Sequence, residues 1–334
     1  MELIEKMKQS KDSIKLFANS SNRVNEQKKL LSKTKRILLN VLRFILIVGI
    51  SYIILSPLIT IISRSFFSAE DVYNPLVLLL PINPTLENFR IAASRMSYVS
   101  TLTSTIIYVL SLMLIQLFIC SMVGYGFARF NFPFKKLLFA CVIFTIIIPT
   151  HTIMLPIYMH FRKFDLFGLV QLFTGKDGIN LLSTRVPMYI MTIFGCGLRS
   201  GLYIYIFNQF FRGLPKEIEE AAFIDGAGSF YTYFRIMLVN AIPSIITVSV
   251  FSIVWQYNDM FYSKLFSIKA DYSMSIKIST LQATIQNMDK ITDPKLAQIY
   301  LYAGIVLTVL PVVLMYIGLQ KYFMEGVERS GIVG

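Results

Sequence analysis

One arginine stands inside a long apolar stretch of the sequence. Residues 186–211 hold no other charged side chain, and Arg199 lies near their middle. A charge at the centre of a bilayer costs at least about 2.5 kcal/mol, so such a residue is expected to face a bundle interior or a wet cavity. On helical spacing Tyr203 shares its face. Two interpretations stand: these residues line a path for a polar solute, or Arg199 forms a structural ion pair, for instance with Asp259.

A second polar and aromatic group lies in residues 255–262. Helical spacing places Trp255, Asn258, Asp259 and Tyr262 on one face. Amide and carboxylate groups hydrogen-bond the hydroxyls of a sugar, and aromatic rings stack against its C–H faces. The group is therefore a candidate surface for contact with a carbohydrate. The alternative is an aromatic belt at the membrane interface, where Trp and Tyr are enriched.

The sequence contains no motif for catalysis or for a resident metal or cofactor. His151 and His160 are nine residues apart, on opposite sides of a helix, so they cannot hold a metal together. Neither a phosphate-binding loop nor a zinc-protease or serine-hydrolase motif occurs. We therefore expect no enzyme activity, cofactor or metal in this chain. The three cysteines lie in apolar stretches and are expected to be small core residues: Cys120, Cys141 and Cys196.

The composition is that of a membrane protein. Apolar residues make up 55% of the 334 residues and charged residues 15%, against about 25% charged in soluble domains. The net charge of +13 comes from Lys and Arg outside the apolar blocks, without the basic and aromatic face of a nucleic-acid-binding protein. We predict an all-α fold, a polytopic bundle of six transmembrane helices. The six blocks of sufficient length are residues 44–63, 96–128, 137–161, 186–211, 236–258 and 296–320.

The basic N-terminal tail sets the predicted orientation. Residues 1–36 carry ten Lys or Arg and four acids, which places them in the cytoplasm, where they are expected to lie along anionic lipid headgroups. An even number of spans puts the C-terminus on the same side. The apolar run 76–80, between two prolines, is too short to cross and belongs to an external loop. The predicted order is tail 1–36, first helix 37–63, external loop 64–95, a five-helix core 96–320 with a cytoplasmic loop 212–235, and a cytoplasmic tail 321–334.

Loop 212–235 carries the signals of a short helix. Pro215 suits the first helical position, and Gly226 can adopt the left-handed conformation that ends a helix. Acids in the first turn complement the helix dipole: Glu217, Glu219 and Glu220. One face is small and suited to a partner: Ile218, Ala221, Ala222 and Asp225. An ordinary surface helix that joins two spans is the alternative interpretation.

This loop resembles the EAA loop of binding-protein-dependent ABC importer permeases. The matching residues are Glu220, Ala221, Ala222, Gly226, Ile236 and Leu238. Segments 209–217, 255–259, 320–323 and 83–89 resemble the sugar-importer branch with the maltose-type permeases, so the resemblance covers roughly residues 40–334. Val239 stands where the family often has proline.

The resemblance implies a coupling role for the loop. Its helix would seat in a cleft on a cytoplasmic ATPase subunit and pass the movement of that subunit to the transmembrane helices. Glu220 and Asp225 would be polar contacts or caps, Ala221 and Ala222 close-packing positions, and Gly226 the turn. Pro215 and Glu219 belong to the same coupling element.

The function implied is that of a permease subunit in the bacterial cytoplasmic (inner) membrane, a multi-pass protein that moves a carbohydrate inward by alternating access. The implied partners are a second EAA-type permease, two cytoplasmic ABC ATPase subunits that use ATP and Mg²⁺, and an extracytoplasmic solute-binding protein. Two other classes are a six-helix secondary carrier and an integral membrane enzyme. The sequence lacks the internal repeats and intramembrane carboxylates of the first and the paired acids or His cluster of the second.

Overall fold

The computed structural model describes residues 33, 35–166, 168–288, 290–291 and 293–331. Over these residues the chain is mostly helical, with one isolated antiparallel bridge between Phe164 and Ile179. The predicted helical class is confirmed. Nearly all of the predicted N-terminal tail and the last three residues of the predicted C-terminal tail lie outside the described residues.

The chain divides into two units, residues 1–61 and 62–334. The described part of the first unit is helical and, apart from residue 33, belongs to α1 (Lys35–Arg64), whose last three residues lie in the second unit. Its 30 residues span about 45 Å at 1.5 Å per residue. The side chains of α1 are apolar and exposed over most of its length, as a helix surrounded by lipid requires.

The second unit contains helices of very different length. Its described helices are α2 (Ala69–Tyr73), α3 (Glu87–Arg95), α4 (Tyr98–Arg129), α5 (Lys135–Ile147), α6 (Met154–Arg162), α7 (Leu169–Thr174), α8 (Val186–Ile193), α9 (Ser200–Gly213), α10 (Glu217–Ile224), α11 (Ser229–Thr232), α12 (Leu238–Asn240), α13 (Ile242–Tyr257), α14 (Phe261–Leu265), α15 (Met274–Met288) and α16 (Pro294–Gly331). A π-helical turn, Tyr233–Met237, joins α11 to α12.

Three helical segments are long and apolar enough to cross a membrane alone: α1, α4 and residues Pro294–Gly318 of α16. Two further segments are bent, by 103° between α5 and residues Thr150–Arg162, and by 76° between residues Ser229–Asn240 and α13. The first bend lies at Pro149, which has no N–H to continue the helical ladder. The described residues therefore contain three candidate spans, or up to five if each bent pair is one span.

Residues 186–211 do not form one continuous helix, which corrects the prediction of an unbroken transmembrane helix there. α8 has 8 residues and α9 has 14, so neither is long enough to cross alone. Gly195 and Arg199 both adopt positive φ, +71° and +60°. Two left-handed residues this close interrupt the helical hydrogen-bond ladder, and the chain between α8 and α9 is irregular.

α4 and α9 cross at a glycine. A Cβ at Gly124 would lie 2.6 Å from Phe207 Cβ. The side-chain Nδ2 of Asn208 donates to the Gly124 carbonyl at 3.3 Å. Buried aromatic side chains surround this crossing, among them Tyr125 and Phe211. The close approach of the two helices therefore depends on the missing side chain at Gly124.

The cysteines were predicted to be core residues. Cys120 is buried at the α4–α9 crossing, so that prediction is confirmed for it. Cys141 and Cys196 are exposed, and the prediction was wrong for them. The reason is that an apolar stretch of a membrane protein also turns side chains outward, where lipid or another subunit replaces the core.

Candidate functional site

The short helix predicted in loop 212–235 is α10. It begins at Glu217, and the amides of Glu219 and Glu220 donate to the Lys216 carbonyl at 3.0 and 3.1 Å. Pro215 therefore precedes the helix instead of occupying its first position, which corrects the prediction. Because the residue before a proline is driven to extended backbone, Leu214 ends α9 and separates it from α10.

The end of α10 follows the prediction for Gly226. This residue has φ +84°. Its amide donates to Phe223 O at 3.0 Å, and the Ala227 amide donates to Ala222 O at 2.9 Å. These two bonds define a Schellman motif, in which a left-handed glycine satisfies the last free carbonyls of the helix. The chain then turns sharply into α11.

The exposed and buried sides of α10 do not match the predicted face of small residues. Ala222 is buried, at 5% exposure, and packs inward. Ala221, Asp225 and Gly226 are exposed, as is Glu220. The predicted partner surface is therefore divided, because positions 219 and 222 share the inner side of this helix.

The outward surface of the loop is more apolar than the sequence suggested. Four large side chains stand in solvent on α10 and α11: Phe223 at 45%, Ile224 at 86%, Phe230 at 72% and Tyr231 at 59% exposure. They were missed as site residues. Their signal in the sequence is apolar side chains inside a loop otherwise assigned to the cytoplasm.

Glu219 fastens α10 to the end of α4. Its carboxylate accepts a hydrogen bond from the Tyr125 hydroxyl at 2.7 Å, and Arg129 Nε lies 2.8 Å from its second oxygen. Arg129 Nη2 also donates to the Leu214 carbonyl at 2.8 Å. Both charged side chains are less than a tenth exposed. Sequence reasoning placed Glu219 in the coupling element but missed Tyr125 and Arg129, because their pairing joins residues about ninety positions apart.

Arg199 lies at the break between α8 and α9. Its guanidinium carbon is 4.3 Å from the centre of the Trp255 ring, a cation–π contact. The side chain is exposed and lines a cleft of about 910 Å³, together with Tyr262 and residues of α6 and of the break. Within the described part of the chain Arg199 forms no ion pair with Asp259.

Tyr203 does not share the cleft. It is completely buried in the cluster at the α4–α9 crossing, although its amide donates to the Arg199 carbonyl at 3.2 Å. Its hydroxyl has no hydrogen-bond partner among the described residues. The predicted pairing of Arg199 with Tyr203 on one face therefore fails, because Arg199 precedes α9 and its backbone is left-handed.

The predicted face 255–262 is divided by the end of a helix. α13 ends at Tyr257, and Asp259 instead caps α14, accepting from the amides of Tyr262 and Ser263 at 3.2 and 2.9 Å. Burial raises the pKa of the Asp259 carboxyl, and these hydrogen bonds oppose the rise. Burial also raises the pKa of Tyr262, to about 12. Asn258 is exposed and donates to the Val254 carbonyl at 2.9 Å.

A buried amide behind this group was missed by sequence reasoning. Gln116 of α4 is fully buried, and its nitrogen donates to the Leu198 carbonyl at 2.6 Å and to the Ser200 hydroxyl at 3.2 Å. Its oxygen accepts from Ser252 at 2.7 Å and from Gln256 at 3.4 Å. Gln116 therefore joins Leu198 and Ser200, on either side of Arg199, to Ser252 and Gln256, which lie close to Trp255 in the sequence.

The two histidines lie in separate aromatic contacts. The His151 ring is 4.8 Å from that of Phe261, and the His160 ring is 5.2 Å from that of Phe161. No group of three or more metal-ligating side chains comes together in the residues that the structure describes.

Comparison with known proteins agrees with this architecture. The chain is 27% identical over 301 residues to the arabinooligosaccharides transport system permease protein AraQ of Halalkalibacterium halodurans, covering 88% of this chain and 98% of that protein. It is 24% identical to the maltodextrin transport system permease protein MdxG of Bacillus subtilis, covering 91% and 99%. A crystal structure of a bacterial ABC transporter involved in the import of the acidic polysaccharide alginate shares the fold, with a TM-score of 0.68 at 20% identity over 86% of this chain and 96% of that chain.

The family model named binding-protein-dependent transport system inner membrane component matches residues 120–329. These residues include the α4–α9 crossing, the Arg199 break and the whole of loop 212–235. The chain therefore belongs to the family of binding-protein-dependent transport system inner membrane components.

Proposed function

We propose that this chain is a permease subunit of a bacterial ABC importer that moves an oligosaccharide into the cytoplasm by alternating access. The observation that carries the proposal is α10, an exposed helix on a loop that is fastened to a membrane-spanning helix by a buried ion pair. Two relatives, the transport system permease proteins for arabinooligosaccharides and for maltodextrin, support the carbohydrate class. Family membership does not favour a secondary carrier.

The proposed partner of α10 is an ATPase subunit. Its outward surface, with Ala221, Phe223 and Ile224, is apolar and suits a hydrophobic cleft. Glu220 and Asp225 would make polar contacts at the edge, and Gly226 fixes the angle of the helix. Movement of the ATPase would reach α4 through Glu219 and Arg129. ATP and Mg²⁺ would be used by two such ATPase subunits, and a second permease and a solute-binding protein would complete the complex.

We propose six crossings with both termini in the cytoplasm of a bacterium. The three continuous spans and two bent pairs account for five. α8 and α9 together would make the sixth, a broken crossing. Irregular backbone at membrane depth is tolerated where it lines a cavity, and the break between α8 and α9 lines the cleft.

The proposed solute path passes this cleft. Arg199 offers N–H donors for sugar hydroxyls, and Tyr262 offers aromatic surface. Trp255 is not among the residues that line the cleft and would act by holding the Arg199 guanidinium. Asn258 and Asp259 would lie at its end, while the buried Tyr203 would support the break through the hydrogen bond from its backbone amide to the Arg199 carbonyl. The large apolar share of the lining fits the C–H faces of a sugar ring.

Reconstitution of the chain with its co-purified partners tests the proposal. Proteoliposomes should take up labelled maltodextrin or arabinooligosaccharide only when ATP is enclosed in the lumen, on the side of the ATPase subunits. Ile224→Asp should release the ATPase and stop uptake while the chain stays folded, because Ile224 is 86% exposed. Glu217→Gln, on the exposed first turn of α10, is the matched control. Uptake that persists without ATP and follows an ion gradient would refute the proposal in favour of a secondary carrier.

A further inference from the structure

An uncharged segment of the loop between α1 and α3 forms an exposed apolar surface. Residues 72–86 contain no Asp, Glu, Lys or Arg. The apolar loop surface, as we name it, consists of Leu76, Leu78, Leu79, Leu80 and Ile82, whose exposures are 85%, 77%, 43%, 76% and 62%. Side chains of this kind are rarely left together in water.

The segment is held in place by its neighbours. Val77 points inward, at 9% exposure, and packs in a cluster with Phe67 and Ile299. The Val77 amide donates to Asn74 O at 3.1 Å, and the Asn83 amide donates to the buried Asp71 carboxylate at 3.0 Å. Packing and hydrogen bonds therefore hold this turn in place, and its leucines point outward.

Two contacts place this surface at the end of α1 and at the start of α16. The Ser63 hydroxyl, in the last turn of α1, donates to the Leu79 carbonyl. The cluster under Val77 includes Leu296 and Ile299, from the first two turns of α16. By length and composition, α1 and residues Pro294–Gly318 of α16 are both candidate membrane spans, and these contacts lie at the end of α1 and at the start of α16. A surface held at the ends of two spans is expected near the membrane interface.

The chemistry of the surface favours lipid over a protein that binds transiently. Interfaces of transient complexes are about as polar as the rest of a protein surface and have charged or polar rims. This surface has no charge over fifteen residues, and Ile62, the neighbour of the Ser63 that bonds to Leu79, is also exposed. Leucine side chains that face outward at this depth match the boundary between headgroups and acyl chains.

We propose that residues 76–82 are a membrane-interface anchor, whose leucines insert into the acyl-chain edge of the bilayer. The anchor would set the depth of the last turn of α1, through Ser63, and of the start of α16, through Leu296 and Ile299. This inference rests on the location of the family in the membrane and is independent of the transported solute.

Site-directed spin labelling tests the anchor. A nitroxide is attached to Leu78→Cys and, separately, to Leu80→Cys, in the full chain carrying Cys141→Ser and Cys196→Ser, within the complete complex in lipid nanodiscs. Accessibility to oxygen, which concentrates in lipid, is compared with accessibility to a water-soluble nickel chelate. Ile47→Cys, exposed on α1, gives the lipid reference, and Lys269→Cys, in an exposed loop, gives the aqueous reference.

The proposal expects both leucine sites to be reached more by oxygen than by the nickel chelate, as at Ile47. The reverse order, as at Lys269, would place the surface in water and overturn it. Protection from both reagents would mean that a protein subunit covers the surface, which overturns it as well. The two labelled positions keep the test decisive if one variant folds poorly.

Discussion

Removal of the charge on Glu219 tests whether α10 is fastened to α4 by a buried ion pair. In Glu219→Gln the amide oxygen can still accept from Tyr125, but Arg129 loses its counter-charge. Both charged side chains are less than a tenth exposed, so the arginine stays in a poorly solvated place. Breaking one side of a buried pair costs about 3–5 kcal/mol. We expect a loss near the lower end, about 3 kcal/mol, because Arg129 keeps its bond to the Leu214 carbonyl.

The assay is the thermal unfolding midpoint of the complex in nanodiscs, together with ATP-driven uptake in proteoliposomes. For a domain of about 150–250 residues, a loss of about 3 kcal/mol lowers the midpoint by about 6–12 °C. Glu220→Gln, on the exposed side of the same helix, is the matched control and should change stability by less than about 0.5 kcal/mol. Uptake per ATP hydrolysed should fall in Glu219→Gln, because α10 is no longer firmly joined to α4.

A double variant separates a direct pair from general damage. Arg129→Gln combined with Glu219→Gln removes both charges, so the combined loss should be smaller than the sum of the single losses by about 1–3 kcal/mol. Additive losses, or equal stability of Glu219→Gln and Glu220→Gln, would refute the reasoning. A stable double variant with poor coupling would show that the pair transmits movement and does more than stabilise the fold.

Three further changes test the surroundings of the cleft. Gly124→Ala puts a methyl group 2.6 Å from Phe207 Cβ and should lower the free energy of unfolding by about 1–3 kcal/mol, which a lower unfolding midpoint would report. Gly126→Ala, with nothing within 4 Å, is the control and should be neutral. Gln116→Leu leaves the Leu198 carbonyl without its donor, and should change the emission of Trp255, the only tryptophan of the chain, if Gln116 positions the cation–π pair. The raised pKa of Asp259 means that the folded chain binds this proton more readily than the unfolded chain, so stability should increase as the pH falls through the raised pKa towards 3.8. Unfolding midpoints of the wild type and Asp259→Asn over this range should differ in slope, and parallel curves would contradict the assignment.

Local sequence rules were sufficient for the loop helix. A glycine that must adopt positive φ and a run of acids after a proline predict where α10 starts and ends to within two residues. Which side of α10 faces inward depends on Arg129 and Tyr125, which come from another helix far away in the sequence. Periodicity gives the relative positions of side chains around a helix but does not say which of them meets the core.

The same limit explains the errors at the candidate path. Spacing arguments assume that a helix continues, whereas α13 ends at Tyr257 and α9 begins after Arg199. Both ends are stabilised by contacts that spacing does not encode, such as the bond from Gln116 to Leu198, 82 residues apart in the chain. The prediction that Arg199 faces a cavity depended only on the cost of a buried charge, and its side chain does line the cleft.

The backbone at Arg199 argues that this side chain is retained for more than stability. A left-handed conformation at a residue other than glycine costs about 1–3 kcal/mol. The contact with Trp255 returns about 2 kcal/mol when desolvated, and less when the side chain is exposed as it is here. Glycine would fit the same backbone without this cost, although its greater freedom in the unfolded chain takes back about 0.5–1 kcal/mol. Because the break itself lines the cleft, the arginine is best explained by what enters that cleft. Arg199→Gly should leave the thermal unfolding midpoint close to that of the wild type, while ATP-driven uptake in proteoliposomes is lost.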